Sequence, residues 1–172
     1  NYAGAIGEKT FTITKADITP TVNMSDYVYG GTKAEPSVNG NTGNGNVTYY
    51  YNTSNSNSNG TNWSTVTSST SLNTGTYYMY AVIEETANYK GATTPTKEFR
   101  ITSIDISENN PNVTATIPSE ERIYKDAEYR PEVTLKNGTE TLVLNKDYTV
   151  TYTNNINAGM ATITIKGINN YS

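Results

Sequence analysis

Asn88-Tyr-Lys-Gly-Ala-Thr-Thr-Pro-Thr-Lys-Glu-Phe-Arg-Ile-Thr102 decides the fold, because the chain carries it more than once. Residues 1–14 read NYAGAIGEKTFTIT, and residues 170–172, NYS, begin the segment again. The tyrosines of the three copies, Tyr2, Tyr89 and Tyr171, stand 87 and then 82 residues apart. A period of that size is a small domain, not a turn of a solenoid. Within the segment Phe99 and Ile101 alternate with Glu98, Arg100 and Thr102, as Phe11 and Ile13 alternate with Thr10, Thr12 and Thr14. Alternation with period two is a strand with one buried and one wet face. Each such strand follows an Asn-Tyr-x-Gly turn and closes its domain.

A second match lies upstream of each later turn. Gly75-Thr-Tyr-Tyr-Met-Tyr-Ala-Val aligns with Gly159-Met-Ala-Thr-Ile-Thr-Ile-Lys. The alternation predicts Ala161, Ile163 and Ile165 facing in, and by the alignment Tyr77, Met79 and Ala81 as well. Further strands are expected at Val47–Tyr51 and Tyr148–Tyr152. Another runs through Val133 and Leu135 into the turn Asn137-Gly138, a hairpin signal, and Leu142 and Leu144 follow it. Ile18 with Val22, and Ile104 with Ile106, mark the first strand of each repeat. Pro20, Pro36, Pro111, Pro118 and Pro131 punctuate these strands at ends or edges, where a missing N–H is tolerated. No segment carries helical periodicity. The expected fold is therefore all-β: two tandem small antiparallel β-sandwiches of immunoglobulin-like kind, with a β-grasp arrangement as the alternative for either repeat.

Composition narrows the chemistry. The 172 residues hold 12 Lys+Arg and 16 Asp+Glu, a net charge of -4, spread evenly with no basic patch. Nucleic acid is thus not an expected partner. No apolar run long enough to span a membrane occurs, so membrane insertion is not expected. The chain has neither Cys nor His. That removes disulfides, thiolate chemistry and the commonest general base, and no metal or cofactor is expected. The adjacent acids Glu84-Glu85 and Glu120-Glu121 point to opposite faces of a strand, so neither pair converges on one substrate atom. Asp105, Glu108, Asn109 and Asn110 have calcium-ligand chemistry, but without a loop motif they read as an Asx turn. No catalytic residue is assigned, and the chain is not expected to be an enzyme.

Residues 124–171 carry Tyr, Pro, a hydrophobic strand, Asn-Gly, Leu, Asp-Tyr-Thr-Val-x-Tyr, Asn-Asn, Asn-Ala-Gly, Ala-Thr-Ile-Thr-Ile and Asn-Tyr in order. This pattern resembles the immunoglobulin-like surface repeats of Gram-positive bacteria. Tyr27-Val-Tyr-Gly-Gly, Gly43-Asn-Gly-Asn-Val-Thr-Tyr and Gly75-Thr-Tyr-Tyr resemble the MBG-type (Tyr-Gly) repeats of bacterial adhesins. The resemblance implies an extracellular location, at the bacterial cell surface or secreted. The implied role is a structural or adhesive repeat acting as stalk or spacer. Some surface repeats of this general kind also hold Lys–Asn isopeptide crosslinks, for which Lys15, Lys33, Lys125 and Lys146 are the lysines near strands.

The alternative function is a glycan- or mucin-binding module. Tyr50, Tyr78 and Tyr80 are predicted on one outward sheet face, beside a Ser/Asn/Thr/Gly-rich insertion, residues 52–73, that carries the only tryptophan, Trp63. Aromatic rings in such positions stack on sugars or anchor a host or plant glycan or protein. The opposing expectation is that the insertion or another domain covers them.

The repeat frame predicts assembly. Residues 1–14 read as the closing strand of a preceding repeat, 15–102 as an MBG-type repeat, and 103–172 as an immunoglobulin-like repeat lacking its own closing strand. A spare strand and an open edge attract one another. Phe11 and Ile13 are therefore the candidate strand-exchange residues, joining molecules head to tail. In a longer chain the same pairing would be made within one molecule.

Overall fold

The computed structural model describes residue 4, residues 7–67 and residues 71–172. The opening Asn1-Tyr2 motif lies outside them. Among the described residues the chain is all-β: thirteen strands, one 3-10 turn and no α-helix. The strands are β1 (Thr21–Asn23), β2 (Tyr27–Val28), β3 (Ser37–Asn39), β4 (Val47–Asn52), β5 (Thr61–Asn62), β6 (Gly75–Ile83) and β7 (Ala92–Thr93). Then follow β8 (Lys97–Thr102), β9 (Val113–Thr116), β10 (Thr134–Asn137), β11 (Glu140–Thr141), β12 (Tyr148–Thr153) and β13 (Thr162–Gly167). They form a six-stranded sheet, ordered β2-β8-β6-β4-β5 with β7 also on β6, a three-stranded sheet β11-β10-β9, and the pairs β1-β3 and β12-β13. The chain divides into two compact units, residues 1–24, 35–65 and 78–98 in one, and 25–34, 66–77 and 99–172 in the other. The boundary falls inside β6 and β8.

The alternation read from the sequence sets the buried faces. Tyr77, Met79, Ala81 and Ile83 of β6 are 9%, 0%, 0% and 2% exposed, and Phe99 and Ile101 of β8 are 1% and 2%. In the second unit Phe99 stacks between Tyr27 and Tyr77, with ring centroids 6.5 and 5.7 Å away. Also in that unit, Leu135, Leu142, Tyr148 and Tyr171 form a core against which Ile104, Ile106, Val113, Val150 and Ile165 pack. Tyr148 donates its hydroxyl proton to the Val133 carbonyl at 2.7 Å, so its buried oxygen is satisfied.

The two repeats share strand register. In β4–β6 the ladder runs from Val47↔Ile83 to Asn52↔Tyr78; in β12–β13 it runs from Tyr148↔Gly167 to Thr153↔Thr162. Six pairs match six pairs, placing Tyr78 on Thr162 and Tyr77 on Ala161. The Asn-Tyr turns also do the same work twice. The Ala16 amide donates to the Asn88 carbonyl at 2.9 Å, and Lys90 returns a bond to Ala16 at 2.9 Å. Likewise Ile104 donates to Asn170 at 2.9 Å, and Ser172 returns a bond to Ile104 at 2.8 Å. Both are parallel bridges, Ala16↔Tyr89 and Ile104↔Tyr171. Each Asn-Tyr turn thus locks onto the residue that starts its own repeat.

Several strand expectations need correction. Residues 10–15 form no strand; Phe11 and Ile13 stand 85% and 84% exposed. Ile104 contributes a single bridge, and the strand near Ile18 begins only at Thr21. Leu142 is buried, but β11 stops at Thr141, and Leu144 is bridged to Tyr148. The hairpin expected at Asn137-Gly138 is present with Asn137 as the last strand residue, paired with Glu140. Gly138, at φ 57°, opens its two-residue loop in the left-handed region that glycine enters without a Cβ clash.

Candidate interaction site

Tyr50 and Tyr80 are direct cross-strand partners, and their rings stack at 5.4 Å. Tyr78 lies two residues along β6, on the same face. Alternation therefore placed these three together as expected. Their accessibility is another matter. Tyr80 is 3% exposed and Trp63 is 3% exposed, which corrects the expectation of open rings. The cause is the insertion, which folds back on the sheet instead of standing away from it. The Gly60 amide donates to the Tyr80 hydroxyl at 2.9 Å. Gly60 sits so close that an added Cβ would lie 2.7 Å from the Tyr80 ring and 2.9 Å from the Tyr51 carbonyl. Asn52 Nδ2 donates to the carbonyls of Ser56 and Ser58 at 2.8 and 3.0 Å, and Asn57 Nδ2 to that of Thr94 at 3.2 Å. Thr96 also bonds Asn55. Trp63, in the 3-10 turn after β5, meets Tyr51 edge-on at 5.8 Å. It is a core residue. Of the four rings, only Tyr50 and Tyr78 keep partial access to solvent.

The other candidate chemistries are absorbed by local structure. Asp105 accepts from the Ser107 amide at 2.8 Å and the Ser107 hydroxyl at 2.9 Å, and its carbonyl accepts from Asn110 Nδ2 at 2.6 Å, an Asx turn. Lys15 pairs with Glu85 at 3.1 Å, and Lys33 donates to the Val66 carbonyl at 3.1 Å. Lys125 lies 4.1 Å over the Tyr129 ring.

A site that sequence reasoning only outlined is the open flank of β13. In the first repeat β6 starts at Gly75, three residues before its first partner on β4, and β8 is its neighbour on the other side. In the second repeat β13 starts at Thr162, and among the described residues its only strand partner is β12. The counterparts of Gly75–Tyr77, residues 159–161, are outside any strand, and Met160 is 90% exposed. Without a neighbour on that side, nothing holds them extended. Expected inward, Ala161 is instead exposed, and Ile163 and Ile165 are only half-buried.

The opposite wall is equally open. The pair Thr21↔Asn39 in β1–β3 and the pair Thr116↔Thr134 in β9–β10 set a common register, which carries residues 21–39 onto 116–134 without a gap. Asp26, Tyr27, Val28 and Tyr29 then correspond to Glu121, Arg122, Ile123 and Tyr124. Tyr27 and Val28 pair in parallel with Ile101 and Thr102 of β8. Ile123 and Tyr124 belong to no strand and are 73% and 56% exposed. Between the walls lies a cleft of about 220 Å³ lined by Arg122, Tyr124, Tyr129, Asn155, Ile156 and Ala161, among others. By the two registers, Arg122 and Ala161, which line it, correspond to Tyr27 and Tyr77, the rings that flank Phe99. No protein-family model, curated protein or solved structure gives a match to the chain.

Proposed function

We propose that the chain is a tandem-repeat segment of an extracellular bacterial surface protein, serving as a stalk or spacer, with immunoglobulin-like sandwiches as its repeats. The observation that supports this reading is the repeated parallel closure, Ala16 on the Asn88-Tyr89 turn and Ile104 on the Asn170-Tyr171 turn. In each, the start of a repeat lies beside the Asn-Tyr turn in its later part and runs in the same direction. Tension applied at the two ends of such a pair loads its bonds together in shear, instead of peeling them one by one.

The second support lies in the second unit, where no linker separates β8 from the next closure: Thr102 ends one and Ile104 begins the other. There the Thr74 amide donates to Asn170 Oδ1 at 2.9 Å, Asn170 Nδ2 donates to Asn73 Oδ1 at 3.1 Å, and Tyr29 meets Tyr171 edge-on at 6.3 Å. These contacts restrain the junction. No catalytic role is proposed.

Pulling single molecules from their termini tests the reading. Two force peaks are expected, each releasing on the order of 250–300 Å of chain, the extended length of about 80 residues. Extension without peaks would refute a load-bearing role. The rival reading, a glycan- or mucin-binding module, is left with Tyr50 and Tyr78. Binding on a glycan array that disappears in Tyr78→Ala would replace the spacer with that module.

A further inference from the structure

We propose that the open flank of β13 is a strand-acceptor site whose occupant is residues 9–14 of a second copy of this chain. The occupant is identified by sequence. Lys9-Thr-Phe-Thr-Ile-Thr14 repeats the Lys-x-Phe-x-Ile-Thr of β8. In β8 the Phe and Ile are 1% and 2% exposed; in residues 9–14 they are 85% and 84% exposed. One motif is thus buried in its strand position and bare elsewhere. The acceptor has the complementary defect, an empty position between Arg122–Tyr124 and residues 159–163.

The geometry of β8 dictates the docking. Tyr27↔Ile101 and Val28↔Thr102 become Arg122↔Ile13 and Ile123↔Thr14, in parallel. The bond from the Tyr29 amide to the Thr102 carbonyl, 2.9 Å, becomes one from Tyr124 to Thr14. The Arg100 amide donates to Asp26 Oδ1 at 2.7 Å; its counterpart is the Thr12 amide, and the counterpart of Asp26 is a second carboxylate, Glu121. Phe11 enters the cleft, whose volume of about 220 Å³ exceeds the ~150 Å³ of an apolar cavity that holds benzene. The incoming strand gives residues 159–161 the neighbour that holds Gly75–Tyr77 extended in β6. Each molecule offers one strand and one acceptor, so the contact is heterologous and extends head to tail. The inference stands apart from the spacer reading, because it needs only these two surfaces.

The test is sedimentation of the full chain over a concentration series, with cysteine cross-linking. The wild type should show a mass-average that climbs past twice that of one chain as concentration rises. Phe11→Asp/Ile13→Asp, which lacks a donor, and Ala161→Arg, which lacks an acceptor, should each stay monomeric; both replace exposed residues, so folding is retained. Mixing the two should restore a one-to-one dimer. The chain has no cysteine, so Ile13→Cys on one molecule and Arg122→Cys on another should give a single intermolecular disulfide, since paired strand residues lie within its reach. A wild type that stays monomeric, association that survives Phe11→Asp/Ile13→Asp, or a mixture that fails to pair would each overturn the proposal. A double Ile13→Cys/Arg122→Cys chain that cross-links only within itself would overturn the intermolecular step.

Discussion

Phe99 and Phe11 occupy the same place in one motif and opposite environments, so the pair Phe99→Ala and Phe11→Ala isolates what burial contributes. Phe99 is 1% exposed and its ring lies between Tyr27 and Tyr77 at 6.5 and 5.7 Å. Truncation removes most of a buried aromatic and leaves a void that the rigid ladder of β2, β8 and β6 collapses poorly, costing about 3–5 kcal/mol. For a chain of this length that lowers Tm by roughly 6–20 °C. Phe11 is 85% exposed, and Phe11→Ala should change stability by no more than about 0.5 kcal/mol. The assay is urea unfolding followed by tyrosine and tryptophan fluorescence, on chain dilute enough to be monomeric. Equal losses in the two variants would refute the assignment of one strand as packed and the other as bare. A loss below about 1 kcal/mol in Phe99→Ala would refute the account of the aromatic stack.

Three further outcomes are expected. Thr94 is fully buried, and its Oγ1 accepts from the Ala81 amide at 2.9 Å, so Thr94→Val should cost about 1–3 kcal/mol by leaving that amide unpaired, read as a lower urea midpoint at unchanged slope. Tyr80→Phe removes the acceptor for the Gly60 amide; about 1 kcal/mol should be lost, and hydrogen exchange at Gly60 should accelerate while the β4–β6 ladder stays protected. Burial, reinforced by the carboxylates of Glu140 and Asp147 and by Tyr29, pushes the Tyr171 phenol up to about 12. Its folded pKa exceeds its unfolded value of about 10, so the contribution is intact below pH 10 and fades as pH rises from 10 to 12. Thermal unfolding across that window should show a steeper loss in the wild type than in Tyr171→Phe, with Tyr148 and Tyr49, which burial also raises, contributing to the remainder.

Period-two alternation was enough to find β4, β6, β8, β12 and β13 and the inward faces of β6 and β8, because sheet position determines side-chain direction directly. It was not enough to find exposure. Tyr80 points to the face the alternation assigns it, yet it is covered, because residues 52–60 bond back through Asn52, Asn57 and Gly60. Those contacts join polar groups far apart in the chain, and no local periodicity announces them. Trp63 was misplaced for the same reason. It follows β5, a two-residue edge strand too short to leave a pattern, whose pairing with β4 brings the ring against Tyr51.

The strand expected over residues 10–15 failed in a more informative way. Its alternation is as good as that of β8, and Phe11 and Ile13 match Phe99 and Ile101 in type and spacing. The difference lies in what flanks each segment. β8 has β2 on one side and β6 on the other, whereas residues 9–14 have neither. A strand is a relation between segments, since its backbone groups are satisfied only by a neighbour. The same logic acts in reverse at residues 159–161, which align with the start of β6 and yet stay irregular because their outer neighbour is missing. Residues 9–14 and residues 159–161 are thus two segments with strand sequences and no strand neighbour, the two halves of the pairing proposed above. Each lacks what the other would supply.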